Sequence, residues 1–300
     1  MKAYPKQVLT TSDLLQKLTQ SGLVISDMVD AEQHLNQIGY YRLRGYWFHL
    51  YDSGKKQFVQ GTTLERILNI YRFDTDLRKL VFDMTCKIEV ALRARFCQAI
   101  LQTGDPFIYL DPSEFKDKSL FWKNISTLSS EINRSSDVFI LHHFDHHDGQ
   151  IPVWAAVEVM SFGTLSKYIK NMNPGKGSPF QSIATFYSYH TPKGKVAVPN
   201  RDMLTSWIHV VVVLRNICAH NSRIYNRSLR TKPMLLAVDK QNSQPQHYGL
   251  YHLLLAMKYL KPSDQEWKQF VTDFSQLLTA YQNDIDLQRL HLPADWQTHM

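Results

Sequence analysis

From Asp76 to Gln102 the chain runs 27 residues without a glycine or a proline. Apolar side chains recur at three- and four-residue spacing through Leu77, Leu80, Val81, Met84, Ile88, Ala91 and Leu92. That period belongs to an amphipathic α-helix, and no strand can hold such a stripe on one face. The same spacing returns in Thr63–Phe73, Leu120–Arg134, Pro152–Met160, Leu165–Asn171, Met203–Tyr225, Leu250–Tyr259 and Ser263–Tyr281. Thr62 stands three residues before Glu65, a capping-box spacing for the helix that leads into the long one. Pro152 and Pro262 sit where a helix tolerates proline, at or just before its first turn. Strand signals are confined to Gln57-Phe58-Val59 and Val196-Ala197-Val198. Residues 104–119, 146–149, 173–179 and 240–248 read as loops too short to be interdomain linkers. The fold expected is all-α with minor β content, read either as an N-terminal helical extension over residues 1–60 with a helical domain over 61–300 or as one continuous domain.

Composition narrows the function classes. With 44% hydrophobic residues and only 12 Gly and 12 Pro in 300, disorder and fibrous repeats are excluded. Three scattered cysteines (Cys86, Cys97, Cys218) cannot form a fully paired disulfide framework and contain no CxxC metal pair, so a reducing compartment is expected. No segment has the pattern of an address peptide. The densest apolar run, Val210–Leu214, is far below the roughly 20 residues of a bilayer span, so a soluble cytoplasmic protein with no membrane partner is expected. There is no GxSxG elbow for a serine hydrolase and no GxGxxG or GxxxxGK loop for a nucleotide.

The net charge of +7 is mild, but it is unevenly placed. Residues 195–232 carry seven basic side chains against one acid, Asp202, whereas residues 261–300 carry three against six. Within the basic segment, Arg215, Asn216, His220, Arg223 and Arg227 fall on one polar arc if the helix continues through Arg227, at about 0°, 100°, 140°, 80° and 120°. Val213, Leu214, Ile217, Cys218 and Ile224 take the opposite arc, which makes Cys218 a buried thiol rather than a nucleophile. A solvated helix face would mix in acids for pairing, and this one has none. Guanidinium groups beside an imidazole suit a phosphate and a proton-transfer step, because an ordinary imidazole pKa lies near about 6.5.

The string from Leu214 to Arg227 resembles the Abi-like (AbiD/AbiF) phage abortive-infection proteins, and its Arg215-x4-His220 spacing resembles the signature of the HEPN superfamily of helical nucleases. Three further blocks carry the same resemblance in order: Gly39–Trp47, then Tyr71–Asp74 with Ile88–Arg95, then Pro152–Trp154 with Glu158–Ser166. The resemblance implies a HEPN-like helical bundle and a metal-independent endoribonuclease without a cofactor. It implies a homodimer whose two motifs form one composite site. RNA would be cleaved by attack of its 2′-hydroxyl on the adjacent phosphate, leaving a 2′,3′-cyclic phosphate and a 5′-hydroxyl. His220 would move the proton, Arg215 would stabilise the phosphorane charge, and Asn216 would orient the imidazole or contact a phosphate oxygen. Arg223 and Arg227 would follow the RNA backbone. A catalytically silent protein holding a small regulatory RNA is the alternative, and an antitoxin is a further possible partner.

Other residues keep two readings at this stage. Glu89 either pairs with Arg93 on its own helix or reaches Arg215 or His220. Arg42 and Arg44, interleaved with Tyr40, Tyr41, Tyr46 and Trp47, either bind RNA by stacking and phosphate contact or pack the N-terminal extension onto the core. His142, His143, His146 and His147 read as a polar loop, with His142 and His146 at the spacing of a helical metal pair but without a supporting motif.

Overall fold

A computed structural model describes residues 8–241 and 249–300. Residues 242–248, the greater part of the loop expected over 240–248, lie outside the described residues, as do residues 1–7 at the start of the chain. The described residues form thirteen α-helices and two short antiparallel hairpins, an all-α fold with minor β content.

Three helices come before the first hairpin: α1 (Thr11–Gln20), α2 (Met28–Ile38) and α3 (Tyr40–Trp47). Strands β1 (Tyr51–Asp52) and β2 (Gln57–Phe58) pair Tyr51 with Phe58. The central element follows, α4 (Leu64–Leu101), 38 residues and about 57 Å long. The sequence divides this stretch into two helices; the structure makes it one. The gap between them falls at Asp74 and Thr75, where Asp74 is a buried polar residue paired with the buried Arg78 rather than a break in the helix. Its N-cap is Thr63, whose hydroxyl accepts from the Arg66 backbone N–H, one residue later than the spacing to Glu65 suggests. Thr62 turns its hydroxyl to the Val59 carbonyl instead.

Beyond α4 come α5 (Lys118–Arg134), α6 (Val138–His146), α7 (Val153–Val159), α8 (Phe162–Asn171) and α9 (Pro179–Phe186). Strands β3 (Tyr189–His190) and β4 (Val196–Ala197) lead into α10 (Arg201–Ala219). The chain ends with α11 (Ala237–Gln241), α12 (Leu250–Met257) and α13 (Asp264–Ala280), followed by short 3-10 turns. His142, His143 and His146 are therefore helical rather than in a loop, with Ile140 anchoring α6 in the core, while the loop expected over 146–149 begins at His147 and turns at Asp148 and Gly149, both with positive φ.

α4 lies against α3, α7, α8, α9, α10 and α13, and α10 lies against α4, α8 and α12. One apolar core runs from Leu15 to Trp296. Among the described residues, one helix, Arg201–Ala219, has the length and hydropathy of a bilayer span. Its apolar side chains Leu204, Trp207, Ile208, Val210, Val211 and Leu214 are buried against neighbouring helices, as in a core helix.

Candidate functional site

The basic helix stops sooner than its spacing suggests. α10 ends at Ala219, and His220 is its C-cap. Asn221 adopts φ +51°, a left-handed conformation that asparagine tolerates better than most residues. The Asn221 N–H donates to the Cys218 carbonyl at 3.0 Å, and the Ser222 N–H to the Ile217 carbonyl at 2.9 Å. This pair of bonds is the Schellman arrangement that closes a helix. The single helical face through Arg227 is thereby corrected: Arg223 and Arg227 sit in a loop that turns back toward α3. The Asn221-Ser222 pair after His220 is the sequence signal that marks this stop.

That loop is pinned from several sides, chiefly by Asp74. Its carboxylate is fully buried on α4. Oδ1 accepts from the backbone N–H groups of Ile224 at 2.9 Å and Tyr225 at 2.7 Å. Oδ2 accepts from the Tyr46 hydroxyl at 2.7 Å and pairs with the Arg78 guanidinium. Burial, then the Asp74 charge, pushes the Tyr46 hydroxyl pKa well above its ordinary value, so it remains a donor. Arg42 donates to the Asn221 carbonyl at 2.7 Å, and the Tyr225 hydroxyl accepts from the Asp286 N–H at 2.9 Å. Asp74 occurs within a block noted in the sequence, but its clamping role is invisible there because its partners lie 28 and 150 residues away.

Arg223 spends its guanidinium inside the loop, donating to the carbonyls of Tyr225 and Asn226 at 2.8 Å each. It lies across Gly45 of α3 so closely that a Cβ there would meet Arg223 Nε at 3.2 Å. Burial draws the Arg223 pKa down from its usual value, with Asp74 opposing that shift. Its first duty is structural, whereas Arg227 is exposed and, among the described residues, donates to the Arg223 carbonyl alone, at 3.2 Å.

His220 is exposed at the edge of an open cleft of about 350 Å³. The lining includes Tyr41, Arg42, Asn221, Ser222, Arg223 and Arg227, and no carboxylate. The structure thus gathers His220, Arg42, Arg223 and Arg227 around one opening. Arg215 is not among them. It faces α4, where its Nε lies 3.7 Å from Glu89 Oε2, and its guanidinium is 5.9 Å from the centre of the Phe82 ring. That Nε is shielded from solvent and has no hydrogen-bond partner among the described residues, although the side chain as a whole is 37% exposed. Glu89 makes both contacts open to it, since Arg93 also donates to it while reaching the Val157 carbonyl. Asn216 is exposed on α10 outside the cleft lining. Arg44 lies on α3 in an adjoining groove.

Tyr46 and Trp47 are buried, so they pack α3 onto the core and offer no face to a base. Cys218 is buried too, and burial raises its thiol pKa to about 12, which makes it a poor nucleophile. The histidine rings at the end of α6 approach to 4.8 Å (His142 to His146) and, with the C-cap residue, 5.1 Å (His143 to His147). Among the described residues no three His, Cys, Asp or Glu side chains converge as a metal site.

His49 lies behind the loop, with its ring 5.6 Å from that of Tyr225. Burial first, then the charges of Arg289 and Arg66, lowers its pKa from 6.5 to about 4. Between these two values the unfolded chain binds more protons than the folded one, so stability falls as pH drops from 6.5 toward 4. Urea denaturation across that window should show the slope, and His49→Gln should reduce it. An unchanged slope in the variant would assign it to other groups.

Taken together, these features define an all-α protein with an exposed histidine held at a helix end beside a cation-lined cleft. Residues 33–226, more than half of the chain, match the Abi-like protein family, and the chain belongs to that family. Family membership points to abortive-infection defence. No curated protein and no solved structure matches the chain significantly.

Proposed function

We propose that this chain is a metal-independent endoribonuclease of an abortive-infection system, acting on RNA through His220, Arg215 and Asn216. The observation that carries the reading is the placement of His220: exposed, fixed by the Schellman turn, and beside a cleft whose charged side chains are all arginines. An imidazole there is positioned to take the proton of an RNA 2′-hydroxyl as its oxygen attacks the adjacent phosphate. The attack closes a 2′,3′-cyclic phosphate, and the departing 5′ oxygen takes up a proton to leave a 5′-hydroxyl. Arg227 and Arg42 supply positive charge at the cleft mouth for the RNA backbone.

A single copy serves this chemistry poorly. Arg215 faces Glu89 on α4 while His220 faces the α3 cleft. In-line displacement also calls for a base on one side of the phosphate and an acid on the other. A two-fold arrangement beside α10 would set two histidines and two arginines around one phosphate through a self-complementary contact.

Incubating pure protein with single-stranded RNA in excess EDTA tests the reaction. Products ending in 2′,3′-cyclic phosphate are expected, because no carboxylate lines the cleft to seat a divalent ion. Cleavage lost in EDTA and restored by a metal ion would overturn the proposal. RNA that is bound but never cut would transfer the reading to a silent RNA-binding protein. Mixing Arg215→Ala with His220→Ala subunits tests the composite site. Heterodimers with little activity are expected if both histidines are required, and a fully active monomer at nanomolar concentration would refute the two-fold arrangement.

A further inference from the structure

Alongside the His220 cleft runs a second and larger groove of about 720 Å³, lined by residues of α1, α3 and the first hairpin. Among the described residues its charged lining side chains are Lys17 and Arg44, with no carboxylate, and its wall is rich in aromatic rings. Tyr41 lines both openings, so the groove lies next to the cleft that holds His220.

The aromatic residues of this wall are not equivalent. Trp47 meets the edges of Tyr40 and Phe58, at centroid distances of 5.4 and 5.9 Å, and Tyr51 meets Phe58 at 5.1 Å. Those rings are committed to packing. Tyr41 and Phe48 are 76% and 66% exposed, which is unusual for large aromatic side chains. Phe48 directly follows α3 with helical backbone angles (φ −54°, ψ −34°). Tyr41, Arg44 and Phe48 are therefore spaced i, i+3 and i+7 on one face, within an arc of about 60° and over about 10 Å of helix. An exposed ring, a cation and a second exposed ring form a stripe on the groove wall.

We propose that this stripe is the subsite for unpaired nucleobases next to the phosphate held at His220: Tyr41 and Phe48 stack on two bases, and Arg44 holds the phosphate between them. The inference rests on the RNA reading of the His220 cleft and adds that the bound RNA must be single-stranded here. Bases engaged in a duplex stack on each other and cannot lie flat on these rings. The all-cationic lining favours a polyanion over an apolar peptide, which would leave Lys17 and Arg44 facing apolar surface.

The test is binding of a ten-nucleotide single-stranded RNA and a duplex of equal length to the full chain carrying His220→Ala, which keeps the RNA intact. Adding Tyr41→Ala and Phe48→Ala should weaken single-strand binding about 30- to 10,000-fold, with the salt slope and duplex binding unchanged. Tyr41→Phe should bind normally. Arg44→Gln should reduce the magnitude of the slope of log K against log salt by about 0.7. Because Tyr41 and Phe48 are exposed, these variants should melt with their parent. As a check that needs no substitution at the stripe, 4-thiouridine in the single strand should cross-link to Tyr41 or Phe48. Unchanged single-strand affinity in the double variant, an equal loss for duplex, or cross-links confined to other residues would overturn the proposal. The two readings fail separately. An unsubstituted chain that never cuts RNA but binds it through the stripe sinks only the nuclease, and cleavage that ignores the stripe sinks only the subsite.

Discussion

Replacing His220 by alanine should lower RNA cleavage by about 100- to 10,000-fold, the range expected when a positioned proton-transfer group is removed. The fold should survive. The side chain is exposed, and the bond from the residue 220 backbone N–H to the Asn216 carbonyl does not depend on the imidazole. Arg215→Ala should cost about 100- to 1,000-fold for the loss of charge stabilisation, and it too should leave the structure standing, because Arg93 still pairs with Glu89. Each variant should also relieve any growth arrest caused by the unsubstituted protein at equal expression. Cleavage rates with matched melting curves check both. Full cleavage by His220→Ala would remove His220 as the proton-transfer group, and full growth arrest by the same variant without cleavage would end the nuclease reading.

The largest effect on stability should come from Asp74→Ala, at about 3–5 kcal/mol. The substitution leaves the Arg78 guanidinium buried without its carboxylate and deprives two backbone N–H groups and the Tyr46 hydroxyl of their acceptor. Asp74→Asn should lose less, since an amide oxygen can still accept from the two backbone groups. Urea denaturation at pH 7 measures the difference. Amide exchange should show the loop from His220 to Asn226 losing protection in Asp74→Asn while the middle of α4 keeps it. A loss below about 1 kcal/mol in Asp74→Ala would mean that the loop is held by its other contacts.

How much of this was legible in the sequence depended on where each partner lies. Local patterns were readable in part: apolar spacing located the longer helices but not α6 or α9, and one strand of each hairpin, Gln57-Phe58 and Val196-Ala197, stood out while its partner, Tyr51–Asp52 or Tyr189–His190, did not. Two boundaries misled. Asp74 broke the stripe of α4 because a buried ion pair reads as a polar face until its partners are known. The spacing of Arg215, His220, Arg223 and Arg227 continued the helical period past the point where Asn221 turns the backbone left-handed. At the site, the sequence marked His220 and Arg215 but not the different directions they face. Nor did it separate Tyr46 and Trp47, which are buried, from Tyr41 and Phe48, which are not. Those distinctions are tertiary, set by which side of α3 meets α4.

The stretch matching the family ends at residue 226, yet the turn that follows His220 leans on what comes after it. The Tyr225 hydroxyl meets the Asp286 backbone, the Asn226 N–H donates to the Arg289 carbonyl at 3.2 Å, and α12 and α13 press on α10 and α4. The end of the family match and the boundary of cooperative folding therefore fall in different places. A gene fragment cut at the first would retain the whole histidine motif and lose the frame that aims it.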